Sequence, residues 1–293
     1  MKLVRYRCQN EETYGILTQQ TVLCLPLLAK LSNITLPQEL SDFIATPDSL
    51  NTADELLRTA PSTYFKAATV PLDEVSLLAP IRFPPKIIGL GWNYVDHASE
   101  VKIKLPEEPV IFIKPHTTII GPYQKIVKPP FVRELDYEGE LAIVIGKTAK
   151  SVSVHDAEKY IFGYTILNDV SARDFQFKDG QWTKGKSFDT FAPTGPCITT
   201  RDEISDVNNL RIRTWVNGDL RQNGTTKDMV FNVNQIVYHL SRFMTLYPCD
   251  IIATGTPSGV GMAMKPQTWL KDGDVIRIEI EDIGVLENTV EEK

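Results

Sequence analysis

The spacing of hydrophobic and polar positions divides the chain into short strands, one clear helix and many turns. Residues 1–75 predict short strands at Tyr14-Gly15-Ile16-Leu17 and Thr21-Val22-Leu23-Cys24-Leu25, then a helix from Thr52. Pro71, Pro80, Pro84 and Pro85 interrupt the pattern, so we expect a small N-terminal domain over 1–75 and a second domain over 76–293. Beyond them, Lys86–Leu90 and Val110–Lys114 predict strands, and a helix is expected over Asp156–Ile161. Gly163–Asn168 predicts another strand, and Asn217-Gly218 predicts a hairpin turn. Ile236, Val237, Leu240 and Phe243 recur at helical spacing, whereas Val275–Glu281 alternates as a half-buried strand should. The stretch Trp182–Thr190 predicts a polar loop carrying Lys184 and Lys186.

One segment departs from these simple patterns. Glu134, Asp136, Glu138 and Glu140 alternate and lead into the apolar run Leu141–Ile145, which predicts a strand with four carboxylates on one face. Like charges held together must be solvated, protonated, paired with bases or bound to a cation. Glu279 and Glu281 have the same spacing as Glu138 and Glu140 among isoleucines, where they make a wet face, so spacing alone does not identify a site. The first acidic segment differs in its company further along the chain: Asp169 at a strand end, then Arg173, Gln176 and Lys186. Such oxygen donors suit Mg²⁺, Mn²⁺ or Ca²⁺ better than zinc or copper. His97 and Glu100, three residues apart, would be neighbours on a helical turn and could share a proton.

Composition narrows the classes. The chain has 293 residues, 42% of them hydrophobic, and a formal net charge of -6, which argues against a nucleic-acid binder. There is no apolar run of about 20 residues to span a bilayer. Cys8, Cys24, Cys197 and Cys249 are scattered, as reduced thiols in a cytoplasmic protein would be. Gly89-x-Gly91 lacks the third glycine of a dinucleotide loop, since Tyr94 stands there, and the loop after Thr254 lacks a phosphate-loop ending.

Five ordered motifs carry a resemblance. They are Gly89-Leu90-Gly91-Trp92-Asn93-Tyr94-Val95-Asp96-His97; Asp136-Tyr137-Glu138-Gly139-Glu140, running on to Gly146; Asn168-Asp169-Val170-Ser171-Ala172-Arg173-Asp174; Gly185-Lys186-Ser187-Phe188-Asp189-Thr190; and Thr254-Gly255-Thr256-Pro257-Ser258-Gly259-Val260-Gly261. From about Val75 onward the chain resembles the fumarylacetoacetate hydrolase superfamily, in particular its bacterial two-domain members that process oxaloacetate. The resemblance implies an α+β, β-rich fold, a mixed β-sandwich roll with a small N-terminal α/β module, usually as a homodimer. It implies Glu138, Glu140 and Asp169 as ligands to Mg²⁺ or Mn²⁺, with Ca²⁺ as a substitute in crystals. Lys186 and Thr256 would face the substrate, Arg173 and Gln176 would hold its carboxylate, and His97 with Glu100 would sit on a lid. Asn93 stands where the namesake hydrolase has a further acidic ligand, which weakens transfer of that enzyme's reaction.

The implied substrate is a small 2-oxo acid reacting through an enolate, with Lys186 placing positive charge at the developing oxyanion. Oxaloacetate decarboxylation or tautomerisation leads. Acylpyruvate hydrolysis, isomerisation of a hydroxymuconate-type dienoate and a catalytically silent 2-oxo-acid binding module stay open, while a nicotinamide enzyme would rest on Gly89-x-Gly91 alone.

Overall fold

The computed structural model describes residues 1–293, and its architecture is strand-rich α+β. Its centre is the strand Gly139–Ile145, buried at every position. Successive side chains leave a strand on opposite faces, and here both faces are covered. Ile143 and Ile145 join one hydrophobic cluster, together with Ile212, Ile278 and Leu286 of a second sheet. Ala142 and Val144 join another, with Leu28, Phe43 and Leu56 of the N-terminal helices. A continuous apolar run is what a strand buried on both sides requires.

Ile161–Asn168 and Ile251–Ala253 flank this strand, both antiparallel to it. Outward on one side come Ala192–Thr200, Lys2–Cys8, Glu11–Leu17, Thr21–Cys24 and Thr69–Pro71. On the other side Ile251–Ala253 pairs parallel with Ile87–Gly91, which pairs antiparallel with Val110–Lys114. The second sheet runs Asp219–Thr225, Arg211–Val216, Val275–Ile280, Gly284–Glu292 and Lys125–Lys128. Its hairpin turns at Asn217 and Gly218, both at positive φ (52° and 85°), as the dipeptide predicts.

The N-terminal strands extend the main sheet, because Lys2 and Leu3 pair with Thr199 and Ile198. The expected helix from Thr52 spans Ser49–Thr59, and Leu25–Leu31, Leu40–Ala45 and Ser62–Ala68 are helices the pattern did not announce. Each spans no more than about two turns, too few repeats for the spacing to stand out from the flanking loops. The helix Val233–Phe243 starts with a capping box, in which Asn232 accepts from the Gln235 N–H and Gln235 accepts from the Asn232 N–H.

Three local expectations are corrected. The helix expected at Asp156–Ile161 is a 3₁₀ turn, Ala157–Tyr160, and the next strand begins at Ile161. The loop expected at Trp182–Thr190 opens with a helical turn, Thr183–Lys186, that buries Lys186. The single acidic strand is two: Leu135–Asp136 pairs with Ser171–Ala172, and Tyr137 and Glu138 lie outside both strands before the central strand starts. No helix is long and apolar enough to cross a membrane.

Candidate active site

Sheet register brings the carboxylates together. Gly139 pairs with Asn168 and Glu140 with Leu167, so Asp169, one residue beyond the strand end, lies beside Glu138. Two bonds fix the junction: the Asp169 N–H donates to the Glu138 carbonyl (2.9 Å), and the Glu138 N–H donates to Asn168 Oδ1 (3.0 Å). Oxygens of Glu138, Glu140 and Asp169 thereby all lie within 4.8 Å of one another, and all three residues are buried.

Three basic side chains are built around them. Lys186 Nζ donates to both Glu138 Oε2 and Asp169 Oδ2 at 2.7 Å. The Arg173 guanidinium reaches Glu138 Oε1 at 2.7 Å and Asp136 Oδ2 at 2.9 Å, while its Nη1 donates to Gln176 Oε1 at 2.9 Å. Lys114 Nζ donates to Asp169 Oδ1 at 2.5 Å. Sequence reasoning missed Lys114. The signal was present, since alternation along Val110–Lys114 puts Lys114 on the same buried face as Phe112.

Asp136, left unassigned by the sequence, is fully buried. Besides Arg173 it accepts from the N–H groups of Gly261 (2.7 Å) and Met262 (3.1 Å), and so ties the acidic segment to the glycine-rich loop. Glu134 is half-buried and lends only its carbonyl, to the Arg173 N–H.

The charges set the protonation of the cluster. Burial pushes Glu138 up, but Lys186 and Arg173 outweigh it and hold the carboxyl well below the usual range. Burial also opposes charge on Lys186, and there Asp169 and Glu138 prevail and raise it. Lys114 is lowered, by burial first and then by Lys186. Glu140 is raised far above the usual range, by burial and then by Asp169 and Glu138. It has no cation against it, only the Gly255 N–H at 2.8 Å. A cluster of oxygen donors with one carboxylate short of positive charge fits a divalent cation.

This yields a pH-dependent expectation for metal-free protein. A raised Glu140 gives stability that is complete below the ordinary carboxylate range and is lost as pH rises through its folded value. Glu140→Gln should therefore match wild type in acid and exceed it in stability near pH 8. Urea denaturation in a chelator at the two pH values measures this, and a difference that does not change with pH contradicts it.

The remaining predicted residues surround one cavity of about 190 Å³, lined by His97, Glu138, Glu140, Arg173, Gln176, Lys186 and Thr256. His97 and Glu100 lie on the short helix Val95–Glu100, with Nδ1 3.3 Å from Glu100 Oε2. Glu100 also accepts from the Gly259 N–H (3.0 Å), and Asp96 accepts from Ser258 Oγ (2.7 Å), so this helix is clipped to the glycine-rich loop. Thr256 lines the cavity, but its hydroxyl donates to the Gly139 carbonyl (3.0 Å) and accepts from Gln222 (2.7 Å). Asn93 is turned into the protein, bonded to Phe231 and to the Thr254 carbonyl.

Known proteins agree with this architecture. The family described as fumarylacetoacetate (FAA) hydrolase C-terminal matches residues 86–291. A mitochondrial oxaloacetate tautomerase of Rattus norvegicus is 46% identical over 75% of this chain and 71% of its own. The structure of a fumarylacetoacetate hydrolase from psychrophilic Exiguobacterium antarcticum superposes with a TM-score of 0.84 at 38% identity, covering 100% of both chains. A maleylpyruvate hydrolase from Sphingobium sp. SYK-6, solved with manganese(II) and pyruvate, gives 0.80 at 33% identity, covering 100% of this chain and 99% of its own. With the match spanning the central strand and every residue of the carboxylate cluster, the chain belongs to the fumarylacetoacetate hydrolase family.

Proposed function

We propose that this enzyme acts on a small 2-oxo acid through its enolate, tautomerising or decarboxylating oxaloacetate, with Mg²⁺ or Mn²⁺ held by Glu138, Glu140 and Asp169. The observation that carries the reading is the buried triad, two of whose carboxylates, Glu138 and Glu140, line a cavity that also presents Lys186 and His97. The names of the tautomerase and hydrolase relatives support it. When bound, the divalent ion supplies Lewis acidity toward the carboxylate and keto oxygens of a 2-oxo acid.

The chain's own groups do the rest. Arg173 bridges Asp136 and Glu138, and Lys114 and Lys186 fix the two oxygens of Asp169. Lys186 puts an ammonium beside the cavity, where it offsets negative charge growing on the keto oxygen. Gln176, its carbonyl taken by Arg173, offers its amide N–H groups to the substrate carboxylate. His97, oriented by Glu100, moves a proton at carbon 3.

A second reading, C–C hydrolysis of an acylpyruvate, uses the same groups with His97 activating water, and the maleylpyruvate hydrolase neighbour favours it. A family match beginning at residue 86 supports treating the N-terminal residues as an appended module, with the boundary near 75. The homodimer rests on family resemblance alone, and a cytoplasmic site of action on the bacterial neighbours.

The test is turnover of oxaloacetate by protein stripped of metal and then reloaded. Keto–enol exchange is followed by ultraviolet absorbance, and released pyruvate by a coupled assay. The expected result is activity restored by Mg²⁺ or Mn²⁺; absent or metal-independent turnover refutes the reading. Two acids released from an acylpyruvate, with oxaloacetate inert, would select hydrolysis.

A further inference from the structure

The cavity has a second wall that the chemistry above does not use. The cavity is also lined by Trp92, Phe112 and Trp182, and by Ile103 and Met262. The strand Ile87–Gly91 is shaped to receive these rings. A Cβ on Gly89 would lie 2.2 Å from Phe112 Cζ, and one on Gly91 would lie 2.1 Å from Trp182 Cζ3. Gly89-x-Gly91 is thus a pair of slots for aromatic rings, not a dinucleotide loop. Trp92 and Trp182 meet edge to face at 4.6 Å and 88°, and Phe112 lies 5.8 Å from Trp182. The Phe112 ring in turn carries Lys186 Nζ at 5.0 Å, which couples the aromatic wall to the charged one.

Trp92 has a φ of 55°, the left-handed region that a bulky side chain rarely adopts. Such backbone strain persists where the surroundings impose it, and it concentrates at ligand sites.

We propose that Trp92 and Trp182 are specificity-determining residues, forming a wall for a flat apolar group on carbon 3 of the substrate. This rests on the 2-oxo-acid reading and deepens it: the preferred class is the 2-oxo acid with a planar apolar substituent on carbon 3. Oxaloacetate is accepted without using the wall.

Calorimetric titration of the Mn²⁺-loaded full chain with pyruvate and with phenylpyruvate tests this, in wild type, Trp92→Asn and Trp182→Leu. Asparagine tolerates the left-handed backbone, and a thermal melt confirms that each variant is folded. Phenylpyruvate should bind wild type roughly 10- to 100-fold more tightly than pyruvate, and the substitutions should bring that ratio to about threefold or less by weakening phenylpyruvate alone. A wild-type ratio near one, or equal weakening of both acids in the variants, overturns the wall. Failure of pyruvate itself to bind overturns the 2-oxo-acid reading, and the wall with it.

Discussion

Asp169→Ala will abolish metal binding and turnover together, and will also weaken the fold. Asp169 is the one carboxylate in contact with both buried lysines, Lys114 through Oδ1 and Lys186 through Oδ2. Its removal leaves Lys114 buried with no charged partner, because Lys186 keeps Glu138 whereas Lys114 keeps only the Val170 carbonyl at 3.3 Å. Breaking a buried pair from one side costs about 3–5 kcal/mol. Isothermal titration with Mn²⁺ and urea denaturation read the two losses separately. Glu279→Ala is the control: Glu279 pairs with Arg213 and Arg277 at the surface, where such pairs contribute about 0–1 kcal/mol, and metal affinity should not change. Retained metal affinity in Asp169→Ala, or its loss in Glu279→Ala, would place the metal elsewhere.

His97→Ala is expected to separate binding from chemistry. His97 lies at the cavity but outside the carboxylate triad, so the variant should hold Mn²⁺ as wild type does while kcat falls by about 10²–10⁴. Glu100→Gln should retain part of the activity, because the amide still positions the ring at Nδ1. Full activity in His97→Ala would remove the proton-transfer role and leave the His97–Glu100 contact purely structural.

How legible these features were in the sequence depends on whether local spacing encoded them. The Asn217-Gly218 hairpin and the helix beginning at Val233 are local, and sequence reasoning located both. The proximity of Asp169 to Glu138 is not local; it exists only through the register Gly139 to Asn168 and was reachable from the sequence by family resemblance. Period-2 alternation grouped Asp136 with Glu138, and Arg173 bridges the two, but it missed that the strand pairing breaks off at Tyr137 and Glu138 and that Asp136 also braces the glycine-rich loop. Lys186 read as a loop lysine since nothing in its neighbours announces burial. Lys114 was more accessible to reasoning, as a lysine on the apolar face of its strand. Arg173 is a different case: the resemblance assigns it to the substrate, whereas its guanidinium is occupied by Asp136, Glu138 and Gln176.

The register of the two central strands also bears on when an ion proposed for the triad could bind. Glu138 and Glu140 precede the strand Gly139–Ile145 or stand at its start, and Asp169 lies just past the end of its antiparallel partner, so the triad closes only when that pairing is complete. A slip of one residue would send Glu140 to the opposite face and dismantle the triad. The ion therefore cannot nucleate the sheet. An ion proposed for this triad would bind only after the long-range pairing has formed, so it would stabilise the native state and slow unfolding rather than speed folding.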